Sequence, residues 1–360
     1  MVRKKIYLFT YAHANLGDDL FIKTICDRYP NVDFYMEIKS KFEEGLIDID
    51  NLFLIKRTFF SKLKNKFLKK NIIFDYVRKA DATVILGGSM FIQGEDGLWK
   101  KKLLYLEKIR SFSKKFYIVG ANFGPYNTAS FLSEYKNFFK KVDDVCFRDK
   151  NSVQLFDDLS NIRLGSDVVF NLNIKEEHPS KNNITIIPIS LIERNKLAPY
   201  EQEYIRKMAD IAIKGINDGK NVILHSFCQD QGDEDAICKI QNIIYKEIKK
   251  KAKCIRYRGD INESLNSIAN SSIIVSTRFH GMILGWLTNS NVLPIRYDNK
   301  MDNLLKDFDQ EGLGYSISNI SDLKINDVFN IKKEQATTVL HKVNEVYENP
   351  FTALDQFLLG

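Results

Sequence analysis

The hexapeptide Ser276-Thr277-Arg278-Phe279-His280-Gly281 holds the residue types of this chain best suited to chemistry. Arginine is a permanent cation whose planar fork matches a carboxylate or a phosphate, and histidine is the side chain whose ordinary pKa lies nearest neutrality. Placed two residues apart, Arg278 and His280 suit an anionic substrate that must also exchange a proton, with Thr277 beside them as a ligand-contacting hydroxyl. Something must hold that pair. The apolar run Ile273-Ile274-Val275 before it reads as a buried strand, and Met282-Ile283-Leu284-Gly285-Trp286-Leu287 after it reads as a helix. Strand, polar turn and helix start is where an open α/β sheet receives its ligand, beyond the carboxyl ends of its strands.

Similar turns follow other apolar runs. The first, Tyr11-Ala12-His13-Ala14-Asn15-Leu16-Gly17-Asp18-Asp19, opens a helix. Gly17 lets backbone come close to a ligand, Asn15 supplies a polar group, and the helix N-terminus offers free N–H groups to an anion. Asp18 and Asp19 read equally well as plain first-turn capping residues. No Gly-x-Gly-x-x-Gly stands at this turn, so a dinucleotide fingerprint is not supported. Gly87-Gly88 after Thr83–Leu86 means either a tight turn or close ligand approach. Asn122 and Gly124-Pro125 end the next strand. Arg148 ends Val145-Cys146-Phe147, with Asp149 placed to cap a helix; Arg148 is either one half of a surface ion pair or a fork for phosphate or carboxylate. Further on, His225 ends Val222-Ile223-Leu224 and reads as a site-lining or structural histidine. Arg256 and Arg258 flank Tyr257, so strand alternation sends both arginines to one side.

The elements that must carry these turns alternate. Ile6–Thr10, Val32–Glu37, Thr83–Leu86, Tyr117–Val119, Val145–Phe147 and Val168–Phe170 read as strands with helical patterns between them. Asn173–Asn183, polar and containing Pro179, reads as a linker, after which the alternation restarts at Ile184–Pro188 and closes at Val292–Ile295. Repeated strand–helix alternation argues parallel sheets covered on both faces, here in two halves.

Composition limits the partners. The 360 residues are 44% hydrophobic and 28% charged, ordinary for a folded protein with two domains. A net charge of +7 favours anionic partners, yet no Arg/Gly-rich tail or zinc-finger spacing points to nucleic acid. The five cysteines, Cys26, Cys146, Cys228, Cys238 and Cys254, form no Cys-x-x-Cys, so neither a zinc ribbon nor a redox pair is supported, and a reducing compartment is expected. The N-terminal apolar run stops at Thr10, too short for a signal core, and no run approaches the roughly 18 apolar residues of a bilayer span. Between residues 51 and 74, Lys56, Arg57, Lys62, Lys64, Lys66, Lys69 and Lys70 alternate with phenylalanines. That segment reads either as an amphipathic stretch lying on an anionic membrane surface or as a solvated helix with a core-facing Phe stripe.

Taken in order, Asn15-Leu16-Gly17-Asp18, Gly87-Gly88, Gly124-Pro125, Phe147-Arg148-Asp149, Ser166-Asp167, Ser276-Thr277-Arg278-Phe279-His280 and Tyr297-Asp298-Asn299-Lys300 resemble the polysaccharide pyruvyl transferase family over about Thr10 to Lys300. The resemblance implies an α/β, GT-B-like fold: two Rossmann-like domains, parallel sheets facing a central cleft, and the site in that cleft. The domains expected are 1–175, on the acceptor side, and 182–325, binding the donor, with a helix over 330–360 packing back on the junction. It also implies phosphoenolpyruvate as donor substrate with no cofactor and no metal, and as acceptor a sugar of a glycan or of its lipid-linked precursor. The product would be a pyruvate ketal. Arg278, His280 and Arg148 fall at the family's donor-binding and catalytic positions; His280 is the expected general acid/base, and Asp18 would orient or deprotonate the acceptor. Substrate contacts are expected from Asn15, Gly17, Gly87, Gly88, Asn122, Gly124, His225, Arg258 and Thr277. Tyr126, after Gly124-Pro125, departs from the aliphatic residue usual in the family, which bears on the acceptor. The expected setting is the cytoplasm, at the inner face of the cell membrane, in exopolysaccharide or capsule assembly. Two rival readings share the pattern: a nucleotide-sugar-dependent GT-B glycosyltransferase and a non-catalytic subunit of a polysaccharide assembly complex.

Overall fold

Short runs of Ile, Val and Phe fold into strands because β-branched and aromatic side chains pack well on a pleated, buried surface. In the computed structural model, which describes residues 2–56, 72–94, 97–174, 182–192, 194, 196–331 and 335–360, these runs make two sheets. The first holds β1 (Lys4–Phe9), β2 (Val32–Ile38), β3 (Leu52–Lys56), β4 (Ala82–Phe91), β5 (Phe116–Phe123), β6 (Asp144–Phe147) and β7 (Ile162–Leu164), in the order β3-β2-β1-β4-β5-β6-β7. The second holds β8 (Asn183–Ile187), β9 (Asn221–Ser226), β10 (Lys253–Arg256), β11 (Ser271–Ser276), β12 (Asn291–Arg296) and β13 (Tyr315–Ser316), in the order β10-β9-β8-β11-β12-β13. Every paired neighbour runs parallel. Each order reverses once, between β1 and β4 and between β8 and β11. Such a reversal opens a crevice at the carboxyl ends of the two strands, the place where doubly wound sheets take ligands.

The chain divides into two units: Met1–His13 with Asp18–Asn171 and Tyr347–Gly360, and Ala14–Gly17 with Leu172–Val346. Their cores differ in kind. The first unit packs rings edge to face, among them Phe91 on Phe139, Trp99 on Phe131 and Phe123 on Phe156. The second packs aliphatic side chains, with Ile184, Ile186, Ile211, Ile237, Ile240 and Ile244 all fully or almost fully buried. Burying each such side chain contributes roughly 1.5–3 kcal/mol relative to leaving it exposed.

Several expectations are corrected. Val168–Phe170 is not a strand but part of a 3₁₀ turn, Val168–Asn171, because the Asp167 carboxylate accepts the Val169 N–H at 2.9 Å and draws the backbone round. The sequence reading also passed over the edge strands β3, β7 and β13; β7 and β13 are only three and two residues long, whereas the apolar run of β3 leads straight into the basic segment. The glycines at 87–88 do not end β4. They sit inside it at φ of 59° and 71°, a conformation that favours glycine, and the register with β5 shifts between Gly88 and Phe91. The terminal segment expected as one helix over 330–360 is two, Gln335–Val346 in the second unit and Thr352–Leu359 in the first. Pro350 cannot continue a helix, and Glu348 instead bridges Gly165. The last helix is fastened within its unit by Asp355, which accepts from Arg28 Nε at 2.9 Å and from the Tyr29 hydroxyl at 2.6 Å. Of the basic segment 51–74, residues 57–71 lie outside the described residues, as does most of the expected linker, 175–181. Among the described residues no helix is long and apolar enough to cross a membrane.

Candidate functional site

In the second unit the site grows from the carboxyl end of β11. Ser276, the last residue of that strand, turns the chain: its hydroxyl donates to Arg278 O at 2.7 Å and accepts from Arg278 N at 3.2 Å. Thr277 is fully buried. Its N–H donates to Ile187 O at the end of β8, and its hydroxyl shares a 2.8 Å hydrogen bond with Tyr204, whose oxygen also accepts Ile189 N–H. Thr277 therefore ties together the two strands that flank the reversal. The helix Phe279–Leu287 starts next, placing His280 in its first turn, half-buried, with its ring edge-on to Phe279.

Arg278 turns inward. It is 7% exposed and pairs with Asp233, which is completely buried. Arg278 Nε donates to Asp233 Oδ2 at 3.1 Å, a terminal nitrogen reaches the other carboxylate oxygen, and Nη1 donates to Gln231 Oε1 at 2.5 Å. Asp233 Oδ2 also accepts the backbone N–H groups of Phe227 and Cys228, just past β9, at 2.9 and 3.0 Å. Burial opposes the charge on Arg278, but Asp233 outweighs it and raises the pKa, so the guanidinium stays ionised. Neither Asp233 nor Gln231 was singled out in the sequence. Asp233 opens the acidic run Asp233-Glu234-Asp235, which reads as ordinary first-turn helix charge, and only its burial separates it from its neighbours.

Asn15 and Gly17 belong to this unit too. Asn15 bridges Cys228, Leu16 N–H donates to Phe227 O, and Gly17 N–H donates to Asn15 Oδ1 at 3.1 Å. A Cβ on Gly17 would stand 1.8 Å from His280 Nδ1, so only glycine admits the imidazole where it is. Lone motifs far apart in sequence, Asn15-Leu16-Gly17 and Thr277–His280, are thus brought together. His225 and Arg258 are not part of that cluster. His225 has no exposed surface; its Nε2 meets Ser264 Oγ at 3.2 Å beneath the helix Ile261–Ala269, and burial lowers its pKa from 6.5 to about 3. Arg258 is exposed and pairs with Glu234 at 2.5 Å, where Arg256 also arrives at 3.3 Å, so the two arginines do converge on a carboxylate, although Arg258 lies past the end of β10. An open cavity of about 530 Å³ in this unit, lined by Asn183, Lys253, Asp260 and Asn266, contains none of the motif residues Thr277, Arg278 and His280.

In the first unit Asp18, Gly87 and Gly88 gather where β1 and β4 part. A Cβ on Gly88 would lie 3.5 Å from Asp18 Oδ1, and one on Gly87 would strike the Phe21 ring at 2.5 Å. Beside β5 and β6, Arg148 is 5% exposed and makes a 2.6 Å bond to Asp167 and a 2.8 Å bond to Asn122 Oδ1. Asn122 Oδ1 also accepts from Ser89 Oγ at 3.0 Å, and its Nδ2 reaches Gly124 O at 3.4 Å. Asp149 caps the helix Lys150–Gln154 through Ser152 N–H at 2.8 Å. Among the described residues no group of three or more His, Cys, Asp or Glu side chains stands together as metal ligands would.

Two measurements follow. Gly17→Ala is expected to displace the imidazole: in NMR spectra the His280 ring signals shift while those of exposed His341 do not, and the unfolding free energy falls by about 1–3 kcal/mol. Unmoved His280 signals would contradict the contact. For His225, the unfolded chain takes up a proton near pH 6.5 and the folded one only near 3, so its contribution is complete above about 6.5 and is lost as pH falls towards 3. In that window it adds a slope of about 1.4 kcal/mol per pH unit, stability rising with pH. Urea titrations from pH 7 to 4 should show a steeper loss for the wild type than for His225→Gln; parallel curves would mean that the folded imidazole is charged.

The comparisons with known proteins agree with this architecture. Over 98–99% of the chain, the fold superimposes on HepE of Anabaena solved with UDP and glucose (TM-score 0.57, 12% identity, 98% of that chain) and with UDP (TM-score 0.58, 11% identity, 98% of that chain). A putative UDP-N-acetylglucosamine 2-epimerase from Listeria monocytogenes matches similarly, with a TM-score of 0.57 and 12% identity over 99% of this chain and 95% of that one. At such identities these matches show the fold, a GT-B-type pair of Rossmann-like α/β domains. A search of curated protein sequences finds no match. The family model described as polysaccharide pyruvyl transferase matches residues 15–299, from the Asn15-Leu16-Gly17 turn to the helix start after Tyr297-Asp298. The chain belongs to the polysaccharide pyruvyl transferase family.

Proposed function

We propose that this transferase moves the pyruvyl group of phosphoenolpyruvate onto two hydroxyls of one sugar, in a surface polysaccharide or its lipid-linked precursor, leaving a pyruvate ketal and free phosphate. The observation that carries the reading is the setting of His280. It stands partly buried at a helix start, at the carboxyl end of β11, where the strand order reverses, with Gly17 leaving room for its ring.

The chemistry needs one mobile proton at that spot. The first sugar hydroxyl bonds to the enol carbon as the terminal methylene takes a proton and becomes methyl. The second hydroxyl then bonds to the same carbon as the C–O bond to phosphate breaks. One hydroxyl proton ends on the methyl group and the other on phosphate, so no further reactant is required. His280 is the group proposed to carry the proton between oxygen and carbon, a role for which a positioned histidine typically contributes 10²–10⁴-fold. Acceptor binding is assigned to the first unit, with Asp18 beside Gly88 orienting the sugar hydroxyl. Arg148, held by Asp167 and Asn122, fixes the ends of β5 and β6 in that unit.

Purified protein given phosphoenolpyruvate and glycan extracted from cells lacking it should release phosphate and add one ketal-linked pyruvate, read by mass spectrometry. His280→Ala is expected to lower that rate at least about a hundredfold, while its thermal midpoint moves little, because the side chain is only half-buried. Loss of folding in the variant, or turnover of a nucleotide sugar in place of phosphoenolpyruvate, would contradict the proposal.

A further inference from the structure

At the carboxyl ends of β8, β11 and β12, the second unit gathers Arg194, Arg278 and Tyr297, and the charge of Arg278 is already matched by Asp233. A dianionic ligand held here needs another cation. We propose that Arg194, stacked on Tyr297, is an anion subsite of the second unit that grips a phosphoryl group; its assignment to phosphoenolpyruvate rests on the function proposed above.

Each of the other described arginines stands within 3.9 Å of an Asp or Glu oxygen. Among the described residues, Arg194 has no such carboxylate. Its Nε donates to Ser190 O at 3.4 Å, and its guanidinium carbon lies 4.8 Å from the centroid of the Tyr297 ring. That arrangement holds the guanidinium over the Tyr297 ring and, among the described residues, leaves it without a carboxylate, which suits bidentate recognition of a phosphoryl group.

Position supports the same conclusion. Ser190 follows β8, one of the two strands at the reversal, and packs against the residue between Gln231 and Asp233: a Cβ on Gly232 would stand 2.8 Å from Ser190 Cβ. Gln231 and Asp233 in turn hold Arg278. Tyr297 closes the ring of contacts, since the charges of both Arg278 and Arg194 act on its hydroxyl. Burial, the largest influence, and Asp298 together push that phenol up to about 12, so it stays protonated and can donate to an anion. Arg194 thus lies on the same strand-end surface as Arg278 and, among the described residues, has no carboxylate partner.

Isothermal titration of wild type, Arg194→Met and Arg194→Lys with phosphoenolpyruvate, UDP and inorganic phosphate tests the assignment. The wild type should bind phosphoenolpyruvate. Arg194→Met should weaken that binding tenfold or more with an unchanged ligand-free melting temperature, and Arg194→Lys should recover part of the loss and serve as the readout if the methionine variant does not fold. If UDP binds, phosphoenolpyruvate does not, and Arg194→Met loses UDP, the subsite stands and the donor reading fails. If phosphoenolpyruvate binds equally to all three proteins, the subsite is overturned and the donor reading stands. Binding of none of the three probes by the wild type overturns the subsite as well.

Discussion

The site of the second unit depends on one buried ion pair, Arg278 with Asp233. Two charges removed from water cost several kcal/mol each unless geometry and additional hydrogen bonds offset the loss. Here the carboxylate accepts from Arg278 and from two backbone N–H groups, and the guanidinium has Gln231 as a further acceptor. Because Phe227 and Cys228 follow β9 and Arg278 follows β11, the pair locks the ends of two strands that are not neighbours in the sheet. The same loop after β9 accepts Leu16 N–H, which places Gly17 beside His280. A single electrostatic contact therefore sets the backbone on which the imidazole stands.

The first unit uses a similar device. Arg148, at the end of β6, is buried against Asp167, and Asn122 at the end of β5 completes its coordination. In both units the arginine of the sequence motif is neutralised internally, so its role is first to position backbone and neighbouring side chains. Any charge offered to a ligand on the second unit must then come from outside the motif, which is why Arg194 carries weight there.

Much of the fold is legible in the chain because parallel sheets bury both faces, and buried strands show as short continuous apolar runs. β1, β5, β9 and β11 all appear this way. The irregular stretches do not. Gly87-Gly88 looks like the end of a strand, yet positive φ angles let the strand continue through a bulge. Val168–Phe170 has a strand's composition and a turn's geometry, since one carboxylate upstream outweighs local propensity. Among residues of the candidate site, Arg278, His280 and Gly17 stand out in the sequence by residue type and spacing, and the second unit brings them together. Asp233 lies 45 positions from its arginine inside an acidic run, and no local pattern separates a buried partner from a solvated cap. His225 left a site-lining and a structural reading open at the sequence level, and its packing under a helix with Ser264 favours the structural one.

The most direct measurement is a double-mutant cycle in urea on Asp233→Asn and Arg278→Met. Asparagine keeps an acceptor for Phe227 and Cys228 but removes the charge and turns an NH2 toward Arg278 in place of Oδ1, so Arg278 is left buried without its counter-ion. The account predicts a loss of about 3–5 kcal/mol for Asp233→Asn alone, with much of it regained in the double variant, where no uncompensated charge remains. A loss below about 1 kcal/mol, the range of an exposed ion pair, or strictly additive losses in the double variant, would show that this pair does not hold the site together.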